Sequence, residues 1–339
     1  MMRIPSSLVL AGLLSFSACG GKHDVVLYCA TDQNTSEQVV KLFEQKTGLK
    51  VKARYDTEAS KTVGLVNALI EEARQPRCDV FWNNEIVHTA RLHKRGILAP
   101  YASPMAKDIP QQFQGPDHHW TGFAARARVF IINTNKLPVD KKDQWPQSLW
   151  DLVHDRFKGQ GTIAKPLTGT TLTHVAAIFA TLGQKEGMRF LDGLKANEVG
   201  IVKSNGATMR QVSEGKYSFG FTDTDDYNVA KTVKGFPVDV VYPDQGKDDM
   251  GTLLIPNTVA LIEGGPNPDN AKKLIDFLLS PEVEQFLAES RSRQIPVRDS
   301  VPRPEGVLKV GEIKVMDWDP IKTAEWMDQN LKMLQTRDW

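Results

Sequence analysis

The 339-residue chain is poor in the features that mark most enzymes. It has three cysteines, none of them in a CxxC pair, and its seven histidines show no zinc-ligand spacing. It has no GxxxxGK[ST] phosphate loop and no GxSxG nucleophile elbow. Zinc chemistry, nucleotide hydrolysis and serine-hydrolase chemistry are therefore without support. Charge of one sign is missing too: 42 Lys+Arg stand against 41 Asp+Glu, with no long basic run. That balance excludes the electrostatic footprint of a nucleic-acid binder. There is no internal repeat and no low-complexity linker.

Long apolar runs are absent except near the start. In MMRIPSSLVLAGLLSFSACG, one charge (Arg3) precedes an apolar run from Leu8 to Phe16 and then small residues. The run is too short to span a bilayer and reads as a secretory signal peptide covering residues 1–18. Cys19 follows Phe16-Ser17-Ala18, so it is read as a lipidated new N-terminus; the other reading is a plain signal peptide with a chance cysteine. The expected location is the periplasm or cell envelope, with membrane contact through a lipid anchor only. Cys29 closes one predicted strand and Cys78 opens another. If those strands are parallel neighbours, the sulfurs lie at opposite ends and stay unpaired, as buried thiols.

What is present is an α/β rhythm, and with 41% apolar residues the chain can build two lobes. DVVLYCAT (24–31), LKVKARY (49–55) and CDVFW (78–82) read as strands. Between and after them lie amphipathic helices: NTSEQVVKLFEQKTG with a Thr35–Gln38 capping box, residues 58–74, and IVHTARLHKRG. WTGFAARARVFIINTNKL and TLLIPNTVALI read as two long strands. A second α/β series lies between them: TIAKP, helices at Leu172–Leu182 and 186–196, EVGIVKS, ATMRQVSEG and Tyr217–Phe221. NPDNAKKLIDFLLSPEVEQFLAES gives two helices, the first capped by Asn267, and IKTAEWMDQNLKMLQ a last one. The expected fold is two doubly wound α/β lobes joined by two hinge strands.

Ligands of open α/β sheets sit beyond the carboxyl ends of strands, which nominates loops 31–34, 83–85, 167–171 and 222–227. In the last, YSFGFTDTDDYN, three aspartates (Asp223, Asp225, Asp226) fall within four residues, followed by Tyr227. Such crowding demands a counter-charge: a captured cation, an amine, or Arg126 or Arg128. The two arginines alternate on one strand and face the same side, so they can also act as a closure latch. Of the tryptophans, Trp82 at a strand's carboxyl end is the candidate cleft wall; Trp120, Trp145 and Trp150 read as packing. Asp32 and Asn84 each double as helix caps.

The segments LYCATDQNTSEQVVKLFEQKTGLKVKARYDT, CDVFWNNEIVHTARLHKRGILAPY, ARVFIINTNKL, PLTGTTLTHVAAI and KSNGATMRQVSEGKYSFGFTDTDD resemble the ferric-ion-binding proteins of bacterial ABC importers. These are class II extracellular solute-binding proteins, and the likeness spans nearly the whole chain after the leader. The resemblance implies cargo held between lobes, which are placed at 22–127 with 256–305 and at 128–255 with 306–339. It implies an ABC permease and its ATPase as partners, a monomer, and no cofactor, with iron(III) or another metal and a synergistic anion as cargo. The family's tyrosine pair falls on Asp225 and Asp226, the two asparagines before it on Asp223 and Thr224. Its histidine ligand falls on Asp32, its glutamate and neighbouring glutamine on Asn84 and Glu85. Asp225, Asp226 and Glu85 are thus the metal candidates, with the phenolate chemistry replaced by carboxylates. The family's anion turn falls on Thr168, Gly169 and Thr170, with Asn205 and Arg126 as further anion contacts. Relatives carry iron, phosphorylated sugars, thiamine or phosphonates, so a phosphorylated or carboxylated organic solute is the alternative cargo. A secreted hydrolase using Asp225, Asp226 or Glu85, and a receptor engaging a signalling partner, are the other functional readings.

Overall fold

The computed structural model describes residues 23–56 and 63–339. The expected leader, the expected lipidation at Cys19 and the first part of the helix expected at 58–74 fall outside those residues. Val25–Cys29 (β1) is the run VVLYC, whose continuous apolar character suits a strand covered on both faces. It pairs in parallel with Val51–Tyr55 (β2) on one side and Val80–Asn83 (β3) on the other. The connecting helices are Gln33–Thr47 (α1) and Val63–Glu71 (α2), with Ile86–Lys94 (α3) after β3. α1 stops at Gly48, whose φ of 74° only glycine adopts cheaply, and the Gly48 amide bonds Glu44 O. Cys29 and Cys78 are both free and buried, at opposite ends of the parallel β1–β3 pair.

Leu98–Ala99 (β4) is followed by the first long strand, Thr121–Asn133 (β5). Gly161–Ala164 (β6), Gly200–Val202 (β7) and Phe219–Asp223 (β8) form the second parallel group, and Val238–Val241 (β9) adds to β5. Leu254–Ile262 (β10) is the second long strand. The strand order is β2-β1-β3-β10-β5-β8-β6-β7. β5 and β10 lie at its centre, antiparallel to each other and to their outer neighbours β8 and β3. They are buried along nearly their whole length, because each crosses from one parallel group to the other and is covered throughout.

Gly169–Ala196 (α4) is one element broken at Gly183, which matches the two expected helices; Gly183 has φ 85° and ψ 171°. Asn205–Ser213 (α5) and Thr224–Asn228 (α6) flank β8. Pro268–Leu278 (α7) and Pro281–Glu289 (α8) cover the first parallel group. Asn267 does not cap α7 with its side chain; its amide nitrogens donate to Asp79 instead, which is buried and needs them.

The last helix, Pro320–Thr336 (α9), packs on both α3 and α4. Trp326 stacks on Phe179 of α4 at 4.2 Å, while Glu325 and Asp328 pair with Lys94 and Arg91 of α3 at 2.5 and 2.7 Å. α9 therefore straddles the two helix layers. A buried pair, Arg298 with Glu284 at 2.8 Å, ties the segment after α8 to that helix.

Candidate functional site

β8 sets the site. The expected strand ended at Phe221, but the ladder continues to Asp223, which sits directly opposite Arg128 of β5. The charge of Arg128 is what allows an aspartate to complete a buried strand. Arg128 Nη1 donates to Asp223 Oδ1 at 2.7 Å, and both side chains are almost wholly buried, at 0% and 4% exposure. Thr170 Oγ1 and Asn205 Nδ2 donate to Asp223 Oδ2 at 2.7 and 2.9 Å. Arg128 Nη2 also donates to Thr171 Oγ1 at 3.2 Å, and the guanidinium lies 4.5 Å from the Phe221 ring centroid. So α4, α5, β5 and β8 converge on one carboxylate.

The next two aspartates stand apart from that knot. Asp225 Oδ2 lies 3.7 Å from Arg126 Nη1, and its Oδ1 has no partner. Asp226 Oδ2 accepts from Thr222 Oγ1 at 2.6 Å, an i,i+4 contact across the start of α6. Burial, then the neighbouring Asp225 and Asp223, push the Asp226 carboxyl up to about 8. Burial also raises Asp225, with Arg126 opposing and Asp223 reinforcing the rise. One oxygen from each of Asp223, Asp225 and Asp226 can lie within 4.8 Å of the others, a separation that suits a hard cation with oxygen ligands. The two arginines thus divide their duties, each taking a different aspartate.

Across from this cluster, the turn after β3 contributes Asn84 and Glu85. Asn84 was expected to cap α3, but Asn83 shapes the turn: its side chain accepts from the Glu85 amide at 3.1 Å and donates to Glu85 O. Glu85 occupies the cap position, is buried, and accepts from Thr173 Oγ1 of α4 at 2.9 Å. Burial lifts its carboxyl to about 7 against the pull of Arg126 and Thr173. Arg126 Nη2 donates to Asn84 O at 3.2 Å, so this arginine bridges the β3 turn and Asp225. These contacts join the β3 side of the molecule to the β8 side.

The turn into α4 places Thr168 and Gly169 at the surface; Gly169 has φ 62° with nothing within 4 Å of a Cβ position. Thr168 makes no side-chain capping bond, so the first-turn amides of α4 face outward as donors. Asp32 is exposed and caps α1 by accepting from Thr35 N at 3.2 Å, which starts the helix earlier than the expected Thr35–Gln38 box. The structure does not bring it into the carboxylate network. Nor is Tyr227 in that network: its ring packs on the cluster of Ile131, Met209, Val212, Ala230 and Val238. Trp82 is no cleft wall: it is fully buried, beside β10 in the sheet and 5.7 Å from Phe123 of β5, within the core of the first parallel group.

Two contributors were not singled out from sequence: Thr173 and Thr222. Thr173 was findable, since it falls three residues after Thr170 on the same face of α4. A cavity of about 210 Å³ also exists, between Ile86, Phe113, Pro256, Met316 and Trp318. It adjoins the long strands and is lined by none of Glu85, Asp223, Asp225 and Asp226.

Comparison with known proteins agrees with this architecture. Residues 84–324 match the family described as bacterial extracellular solute-binding protein. A Salmonella typhimurium protein, provisionally named for periplasmic 2-aminoethylphosphonate binding, is 28% identical over 82% of this chain and 79% of its own. The major ferric iron-binding protein of Neisseria meningitidis serogroup A is 25% identical over 79% of this chain and 80% of its own. The crystal structure of iron-bound HitA from Pseudomonas aeruginosa superposes with a TM-score of 0.80 at 26% identity, covering 93% of this chain and 98% of that one. The shared plan is the fold: two α/β lobes joined by two long strands. The chain is a member of the bacterial extracellular solute-binding protein family.

Proposed function

We propose that this protein is the extracytoplasmic receptor of an ABC importer, and that its cargo is a cation, with iron(III) the leading candidate. The observation that carries this reading is the pair Asp225–Asp226. Asp223 is neutralised internally by Arg128, but Asp226 has only a threonine and Asp225 keeps an oxygen without a partner. Those carboxylates offer oxygen ligands for a hard cation, and Arg126, which bridges Asp225 and the β3 turn, puts Glu85 of the other lobe on the same side as a further ligand in this reading. The lobes are taken as 22–127 with 256–305 and 128–255 with 306–339. Cargo held by Glu85 on one lobe and by the aspartates on the other gains its full contact set only in the closed state, so it shifts the population toward closure. The closed form then docks on a permease driven by an ATPase.

The relatives named for iron, and the iron-bound neighbour, support this reading. They also support a periplasmic or envelope location and a binding role without catalysis. Lipidation at Cys19, after removal of residues 1–18, would tether the receptor to a membrane, and the receptor is taken as a monomer.

A second reading has its own observation. The exposed start of α4 at Thr168 and Gly169 lies in the same region as Arg126 and suits a phosphonate or carboxylate. A zwitterion with an amine at Asp225–Asp226 and an oxyanion at that turn would use both halves, and the relative named for 2-aminoethylphosphonate supports it.

Native mass spectrometry of the protein as purified, followed by a thermal-shift panel, separates these cargoes. Iron(III), divalent metals, sugar phosphates and aminophosphonates are the probes, since cargo that binds only the native state raises Tm. A metal mass adduct and a metal-specific rise are expected. A rise with aminophosphonates alone would select the second reading, and no rise with any probe would overturn both.

A further inference from the structure

Three donors of the second lobe aim at one carboxylate. Arg128 Nη1 reaches Asp223 Oδ1 at 2.7 Å, and Thr170 Oγ1 and Asn205 Nδ2 reach Asp223 Oδ2 at 2.7 and 2.9 Å. Their directions are fixed by one another. Thr170 gives its single proton to Asp223 and accepts from Arg128 and Asn205, at 3.1 and 2.6 Å. Asn205 is turned the right way because its Oδ1 accepts from Thr171 at 3.0 Å. A guanidinium, a hydroxyl and an amide meeting at one point, at the start of α4, are the donor set a free oxyanion requires. All of these groups except Asn205 are buried, so water cannot stand in for the acceptor.

We infer that Asp223 is a built-in counter-anion: its carboxylate fills an oxyanion-binding site of the second lobe, so cargo is held without a free oxyanion bound there. This rests on the cation reading above. It explains why three aspartates coexist in four residues. One is the fixed partner of Arg128, and the other two are left to offer their oxygens to cargo. It also makes Asp223 a specificity-determining residue, because a ligand's phosphate cannot reach Arg128, Thr170 or Asn205 while the carboxylate holds them. Truncating Asp223 leaves those donors in place around a carboxylate-sized space with the guanidinium uncompensated.

The test compares wild-type protein with Asp223→Ala in phosphate, in formate, and in chloride at equal ionic strength. Wild-type Tm is expected to be the same in all three. Tm of Asp223→Ala is expected to rise by roughly 5 °C in the oxyanions, the scale of a specific ligand present well above its Kd. This arm uses no metal, so it is independent of the cargo assignment. An equal rise in wild type, or a folded Asp223→Ala that neither oxyanion stabilises, overturns the inference. A second arm uses wild type alone and decides the matter if Asp223→Ala does not fold. Iron(III) is titrated with and without phosphate. Equal affinity is expected, and a tenfold or greater dependence on phosphate overturns the inference. Failure of wild type to bind any metal sinks the cation reading instead, and the oxyanion arm still reports on Asp223.

Discussion

Arg128 and Asp223 face each other across the β5–β8 ladder, 2.7 Å apart and sealed from solvent, though 95 residues separate them in the chain. The pair ties β5 to β8 and, through Thr170 and Asn205, to the starts of α4 and α5. It also decides which aspartates stay available, since Arg126, two residues before Arg128, lies beside Asp225 at the longer distance of 3.7 Å.

Removing one member of that pair leaves a buried charge alone. Arg128→Met is expected to destabilise the protein by about 3–5 kcal/mol in chemical denaturation. Asp32→Ala, which removes an exposed helix cap, is expected to cost only about 1 kcal/mol. Cargo affinity of Asp32→Ala should be unchanged, because Asp32 lies outside the carboxylate network.

Glu85 and Asp226 set the pH response. Burial raises both, to about 7 and about 8, from ordinary values of 4.5 and 3.8. Between those limits the folded chain keeps protons that the unfolded chain has lost. Their stabilising effect is complete below the ordinary values and declines as pH rises through the folded ones. Tm of the cargo-free protein, as far as these groups set it, is expected to fall from pH 5 to pH 8. A cation displaces the same protons, so its affinity should rise over this range. Calorimetry in two buffers of different ionisation enthalpy should register proton release on binding.

The Glu85–Thr173 hydrogen bond is a direct contact between the β3 turn and α4. Thr173→Val removes it while keeping the shape. Closure should weaken by about 1 kcal/mol, lowering cargo affinity about fivefold. Small-angle scattering of the cargo-free variant should show a larger radius of gyration than wild type. An unchanged radius and affinity would assign Thr173 a packing role only.

Cys29 and Cys78 are buried, and burial pushes the Cys29 thiol up to about 11 and raises Cys78 well above its ordinary value. In a chain lacking Cys19, a thiol reagent is expected to modify neither in the native state and both in guanidinium. Two sites reacting before unfolding would contradict the placement.

The fold was legible where the signal is local or repeated. Continuous apolar runs such as VVLYC gave the strands, and the two long runs at 121–133 and 254–262 gave the crossing strands. The acidic stretch was legible as a place needing counter-charge. Which arginine answers which aspartate was not, because it depends on the antiparallel register of strands far apart in sequence. The same gap explains Trp82: nothing near it in the chain announces that β10 and Phe123 will pack beside it. Local competition explains the α1 start, where Asp32 supplies the capping oxygen before Thr35 can. Glu85 was legible as a candidate through the family likeness, whereas its bond to Thr173 required the two lobes to be brought together.

The most direct test of the central claim is a calorimetric titration of iron(III), delivered from a weak chelate, into wild type and an Asp225→Asn/Asp226→Asn variant. One ion per chain is expected in wild type, with a loss of affinity of at least a hundredfold in the variant, whose fold circular dichroism would confirm. Equal binding by the two proteins would contradict the assignment of the cargo to these carboxylates.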